Sequence, residues 1–229
     1  MLFFIQSIKS TPIAVSDRSI DPLAVNTRTA MESMIKKYQQ KFRKAKEEMD
    51  RWSEAQSRLI SQFNNVSSII ERLPIIRKEE NFGALSCVDG IADAVLSKQL
   101  QSLQSILLSM GDTLAEFRGV VLSLEKLHRD GGEFVRGGSS GQLGAKQLQQ
   151  QIGLKPSLSD CLDGLKLLYN MHFAEYRLKS SIVSALPLIV FKSSISDLSS
   201  LRQLLADQPN IPPDEVRSIL DIIFAEEIS

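Results

Sequence analysis

His128 and His172 are the only two imidazoles in the chain, and histidine is the side chain best suited to moving a proton near neutral pH. Neither has a second histidine one helical turn away, so the HxxxH spacing that offers a metal two ligands from one face is missing. His128 stands beside Arg129 at the expected end of a helix, where a positive charge suits the macrodipole. His172 falls on an apolar seam, as a satisfied core residue does. Asp160 and Asp163 are close along one helix, but Asp160 follows Ser157 by three, the spacing of an N-terminal cap. Asp163 then reads as a solvated acid. Cys87 and Cys161 have no CxxC spacing and read as reduced thiols of an intracellular protein. Gly132 to Gly138 imitates a phosphate loop in its glycines alone: the Lys, the Ser or Thr and the preceding strand are absent. No serine elbow or Cys–His signature occurs. The expectation is a protein that is not an enzyme, with no catalytic, cofactor-binding or metal-binding residue.

Charge gives a second candidate. Lys36, Lys37, Lys41, Arg43, Lys44 and Lys46 form a basic run without an intervening acid. The bland reading is a solvated helix face; the sharper one is a contact with RNA or an acidic protein. Lys plus Arg equals Asp plus Glu, 27 of each, which argues against coating nucleic acid by bulk charge. The acidic C-terminal segment carries Asp207, Asp214, Glu215, Asp221, Glu226 and Glu227 against Arg217 alone, so the two stretches could pair within the molecule.

The elements that must position these groups are helices. From Met31 to Leu73, thirteen positions spaced alternately by four and three are apolar or aromatic except for Gln56. A 3.5-residue repeat sustained over six heptads predicts a coiled-coil seam, and Pro74 is expected to end it. A second long helix is expected from about Ser86, capped with Asp89, to Arg129, with Ala92, Leu96, Leu103, Leu107, Met110, Phe117 and Leu124 on its seam. Gly131 and Gly132 would then terminate it. Residues 130–155 read as a Gly-rich linker. A third helix starts at Ser157 and is expected to stop at Pro187, with Leu158, Leu165, His172, Tyr176 and Leu186 on its apolar face and Lys179 or Ser180 in the remaining slot. Two short helices follow, the first capped by Ser194 with Asp197 and the second introduced by Pro212 and Pro213.

Ser86, Ser109, Ser157 and Ser194 each precede an acid by three, a casein kinase II spacing that capping explains equally well. No period-two alternation is long enough for a sheet. The fold class is therefore all-α: an elongated antiparallel bundle of three long coiled-coil-like helices plus two short C-terminal ones. It occupies residues 29–229 after a flexible tail, residues 1–28. No run of 18 apolar residues occurs, so no membrane span is expected. In the third helix, Tyr176, Arg177 and Lys179 read as the end of a seam with a basic rim, the kind of surface that docks another protein.

PSLSDCLDGL, Pro156 to Leu165, followed by Tyr176 and Lys179, resembles the C-terminal half of the casein kinase II substrate family, a group that includes an AAA-ATPase-interacting ribosome maturation factor. The likeness extends back through a long helix with Trp52 at its middle and forward to Glu226-Glu227, covering roughly residues 29–228. It implies a non-catalytic subunit in the cytoplasm and nucleus. The implied partners are AAA ATPase subunits and a second small helical protein, the cyclin-dependent-kinase-interacting subunit, whose layout is similar enough to be the alternative identity. The implied work is late cytoplasmic maturation of the large ribosomal subunit, in indirect contact with pre-ribosomal particles and with no role for membrane or DNA.

Overall fold

Twelve of the thirteen positions on the first seam are buried and Met49 is half-buried. The computed structural model describes residues 22–136, 144–192 and 195–225. Its elements are α1 (Pro22–Ile76), a 3-10 stretch (Glu79–Cys87), α2 (Ile91–Arg136), α3 (Ala145–Leu148), α4 (Leu158–Lys192), α5 (Ile195–Asp207) and α6 (Pro213–Ile223). Among the described residues no strand forms beyond the isolated bridge of Ile152 with Lys155, and the all-helical fold class stands. At 1.5 Å per residue, the 55 residues of α1 extend about 80 Å, a rod that stays helical because its apolar face is covered by other helices.

Polar contacts fix the directions. The Tyr38 hydroxyl donates to the Gly131 carbonyl at 2.7 Å, Arg58 pairs with Glu116, and the Gln62 amide donates to Ser109 Oγ at 2.9 Å. Residue numbers rise on α1 as they fall on α2, so these two are antiparallel. α4 returns alongside α1 in the same direction, with Gly164 against Phe42 and His172 against Trp52. The core runs along this three-helix seam, through Phe42, Trp52, Phe63, Phe117, Leu124, Leu165, Leu168 and Leu186.

Two glycines set the spacing between helices. A Cβ on Gly131 would lie 3.1 Å from Tyr38 and 3.3 Å from Leu165. On Gly164 it would lie 3.0 Å from Phe42 and 3.1 Å from Ile219. These contacts explain the first correction to the sequence reading. Gly131 and Gly132 do not terminate α2, because the bare backbone at Gly131 is what lets Tyr38 reach its carbonyl while the helix runs on to Arg136. The linker is therefore shorter than expected, and residues 137–143 lie outside the described residues. Its far end is tied down, with Lys155 Nζ 3.6 Å from a Glu32 carboxylate oxygen.

Other boundaries also move. α1 begins at Pro22, so residues 22–28, expected in the tail, are helical; residues 1–21 lie outside the described residues. Neither Pro74 nor Pro187 stops its helix: α1 continues to Ile76 and α4 to Lys192. Near a helix end a proline removes one hydrogen bond from the ladder, and the final turn can still close; Arg77 N–H donates to the Leu73 carbonyl at 3.2 Å. Ser86 caps nothing, because its hydroxyl turns back to the Gly83 carbonyl within the 3-10 stretch and α2 starts five residues later. Ser157 does cap α4: its N–H donates to Asp160 Oδ2 at 2.9 Å while Asp160 N–H donates to its hydroxyl at 3.1 Å. Ser194 lies outside the described residues.

Candidate interaction surfaces and a buried polar cluster

At the middle of the bundle, Trp52 meets Phe117 edge-on at 4.4 Å between ring centroids and His172 at 4.9 Å. Its indole N–H donates to Gln208 Oε1 at 2.7 Å. One turn on, the Gln56 amide donates to the Leu205 carbonyl at 2.6 Å. Both bonds fasten the α5–α6 junction to α1. Gln208 ends α5 with a left-handed φ of 46°, a conformation that costs a non-glycine residue and that places its side chain toward Trp52.

Glu175 and Lys179 complete this cluster. Both are fully buried, with Nζ 2.9 Å from Oε1, the one polar contact of either atom among the described residues. The other carboxylate oxygen accepts from Asn210 N–H at 3.2 Å and its side-chain amide at 3.0 Å. The ammonium lies 5.5 Å from the Phe117 ring centroid and 5.8 Å from that of Trp52, within range of a cation–π attraction. Lys179, expected on a docking rim, is thus removed from any surface. An ammonium with no exposure needs a fixed counter-charge, and Glu175 one turn earlier supplies it in the favourable order for such a pair.

His172 is buried here too, its Nδ1 2.7 Å from the Leu168 carbonyl, so Nδ1 carries the proton. Burial pushes this imidazole below its ordinary range; the Leu168 hydrogen bond and the Glu175 carboxylate pull the other way. The unfolded chain then takes up a proton near pH 6.5 that the fold resists. More protons are bound by the unfolded state in that window, so stability falls as pH drops from 6.5 toward the depressed native value. The expected slope is up to about 1.4 kcal/mol per pH unit. Urea midpoints at pH 7.5 and 5.5 for the parent and for His172→Phe check it: the difference between the two proteins should shrink at the acidic end.

The other two rim residues stay outside. Tyr176 is half-buried and Arg177 exposed. They continue a face on which Tyr169 and Phe173 stack with centroids 5.8 Å apart. Phe173 is 39% exposed. A stack of aromatics ending at an arginine has the composition of a protein-binding hot spot.

The six basic residues do not share one face. Lys37, Lys41 and Lys44 line a groove of about 590 Å³ between α1 and α2, with Lys126, Leu127, Asp130 and Phe134 from α2. Arg43 and Lys46 line a second groove of about 570 Å³ on the other side of α1, with Arg217, Asp221 and Phe224 at α6. Lys36 is exposed. The basic stretch does come close to α6, through contacts other than the charge pairing envisaged: the Arg43 guanidinium lies 5.6 Å from the Phe224 centroid, and the Gln39 amide donates to the Ile223 carbonyl at 3.1 Å. Glu226 and Glu227 lie outside the described residues. Among the described residues no cluster of His, Cys, Asp and Glu could hold a metal ion, and no helix is long and apolar enough to cross a membrane.

Compared with known families, residues 32–228 match the model of the family described as ribosome biogenesis protein C1orf109-like. The chain belongs to that family. The match covers α1 from residue 32 onward together with α2, α4, α5 and α6. It agrees with the ribosome-maturation side of the resemblance read from PSLSDCLDGL; the casein kinase II side is not part of it. No curated protein matches the chain.

Proposed function

We propose that this member of the C1orf109-like family is a non-catalytic adaptor or scaffold subunit of an AAA ATPase complex acting in late cytoplasmic maturation of the large ribosomal subunit. Its direct partners are the ATPase subunits and a second small helical subunit, with pre-ribosomal particles contacted indirectly, in cytoplasm and nucleus. Family membership supports the ribosome-biogenesis part. The observation that carries the adaptor part is the outer face of α4, where the half-buried Tyr169 stacks on the exposed Phe173 and the face continues to the half-buried Tyr176 and the exposed Arg177. The titratable groups at the bundle centre are committed to packing and pairing, which leaves surfaces as the means of action. Any ATP chemistry belongs to the partner.

The test is a pull-down of the tagged full chain from native extract, read by mass spectrometry. An AAA ATPase should be recovered with the parent. Phe173→Ala combined with Arg177→Glu should weaken its capture by roughly thirtyfold, the equivalent of about 2 kcal/mol, while the melting curve stays unchanged. Absence of an ATPase across several salt concentrations, or recovery of a tether or cytoskeletal assembly instead, would replace this reading with that of a coiled-coil subunit elsewhere.

A further inference from the structure

The groove between α1 and α2 holds four lysines in a short row. Lys37, Lys41 and Lys44 come from α1, and Lys126 approaches from the antiparallel α2. Over about two turns, roughly 10 Å of helix rise, the three α1 lysines face the same partner helix. Two are held in place: Lys37 Nζ lies 5.5 Å and Lys41 Nζ 4.9 Å from the centroid of Phe134. Such contacts order the side chains while leaving the ammonium hydrogens free to donate. Among the described residues none of the four lysines has a carboxylate within salt-bridge distance. Asp130 stands beside Lys41 and Glu47 and Glu48 at the far end of the groove, where they bound the basic row. Burial above all works against the charge on Lys41, and Lys44 and Lys126 add to that, while Asp130 and Glu133 support it.

We infer that this lysine row is a binding track for the phosphates of single-stranded RNA. The alternative occupant of a basic groove is an acidic protein segment, which would need an apolar anchor point. Here the apolar surface centres on one ring, Phe134, 40% exposed and flanked by the Lys37 and Lys41 ammoniums, beside a half-buried Leu127. A single exposed aromatic among lysines suits a strand that stacks a base and lays its phosphates on the ammoniums. Membership of a ribosome biogenesis family places RNA among the polyanions the protein meets. Short tracks of this kind position a strand without reading its sequence. The inference does not depend on the ATPase reading: either can fail while the other stands.

The test uses the full chain and a fluorescent mixed-sequence 12-nucleotide RNA, read by anisotropy across salt concentrations. Four lysines on a single strand predict a slope of log K against log salt near −3, from about 0.7 per phosphate contact. Lys37→Gln, Lys41→Gln and Lys44→Gln together should reduce the slope to about −1 and weaken binding at least tenfold. The corresponding triple Lys→Arg variant should retain binding. Arg43→Gln with Lys46→Gln, in the other groove, should leave affinity within about twofold of the parent. Circular dichroism and melting curves confirm that each variant is folded. No RNA binding by the parent, an unchanged slope in the triple Gln variant, or binding of a polyglutamate peptide that RNA does not displace would each overturn the inference.

Discussion

Glu175→Ala is expected to destabilise the protein by about 3–5 kcal/mol, the cost of leaving a buried charge without its partner. Lys179 has no exposure and, among the described residues, no other counter-ion, its Nζ meeting Glu175 at 2.9 Å. The Asn210 N–H and side-chain amide would lose their acceptor in the same step. Replacing both members, Glu175→Met with Lys179→Met, removes two desolvated charges and leaves a volume that methionine can fill. Its stability should return to within about 2 kcal/mol of the parent or exceed it. Burial pushes the Lys179 pKa below the ordinary lysine value, with Glu175 opposing. The unfolded chain therefore holds its lysine proton to higher pH than the folded one. Stability attributable to this group rises as pH increases from the depressed native value to about 10.5, and Glu175→Ala should widen that window downward. Guanidinium melts of the three proteins between pH 7 and 10 decide it. A single variant within 1 kcal/mol of the parent would mean that water reaches the ammonium and that the pair is dispensable.

The pair shows what was legible in the sequence and what was not. The long seam of α1 could be read residue by residue because burial follows the 3.5-residue repeat over forty positions, and even its polar exception, Gln56, is buried where the repeat puts it. The helix class and the Ser157 cap follow from equally local signals. In α4 the positions 165, 168, 172, 175, 179, 182 and 186 alternate by three and four without a break, and all are buried. Glu175 and Lys179 occupy two of them. The repeat alone leaves Lys179 or Ser180 for the last slot of the apolar face, and the basic character of Lys179 reads equally as a rim. What decides it is Glu175 one turn earlier, whose carboxylate gives no sign of burial until the α5–α6 junction is packed over it. Helix ends were less legible still: Pro74, Pro187 and Gly131 are breakers by type, and each lies inside a helix because packing on the neighbouring helix outweighs the lost hydrogen bond or the propensity penalty. The division of the basic run between two grooves depends on which helices flank α1, information that no single helix contains.

Trp52→Ala should cost about 3–5 kcal/mol, as large-to-small changes of buried aromatics do, and its effect should be uneven across the molecule. The indole touches three things at once: the Phe117 and His172 rings within the long helices, the Lys179 ammonium, and Gln208 at the end of α5. Losing the first two weakens the bundle as a whole. Losing the third releases one of the two polar ties between α1 and the α5–α6 junction, the other being Gln56 to the Leu205 carbonyl. Hydrogen exchange should therefore report a larger loss of protection in α5 and α6 than in the α1–α2 pair on the side of Phe63 and Met110. Trp52→Phe separates the terms, keeping an aromatic ring against Phe117 while deleting the donor to Gln208. It should recover more than half of the global stability and still leave α5 and α6 less protected than in the parent. Uniform loss of protection in both variants would show that the C-terminal helices are held by their apolar face, through Leu198, Leu205, Ile219 and Ile223, and that the polar ties at Trp52 are incidental to their docking.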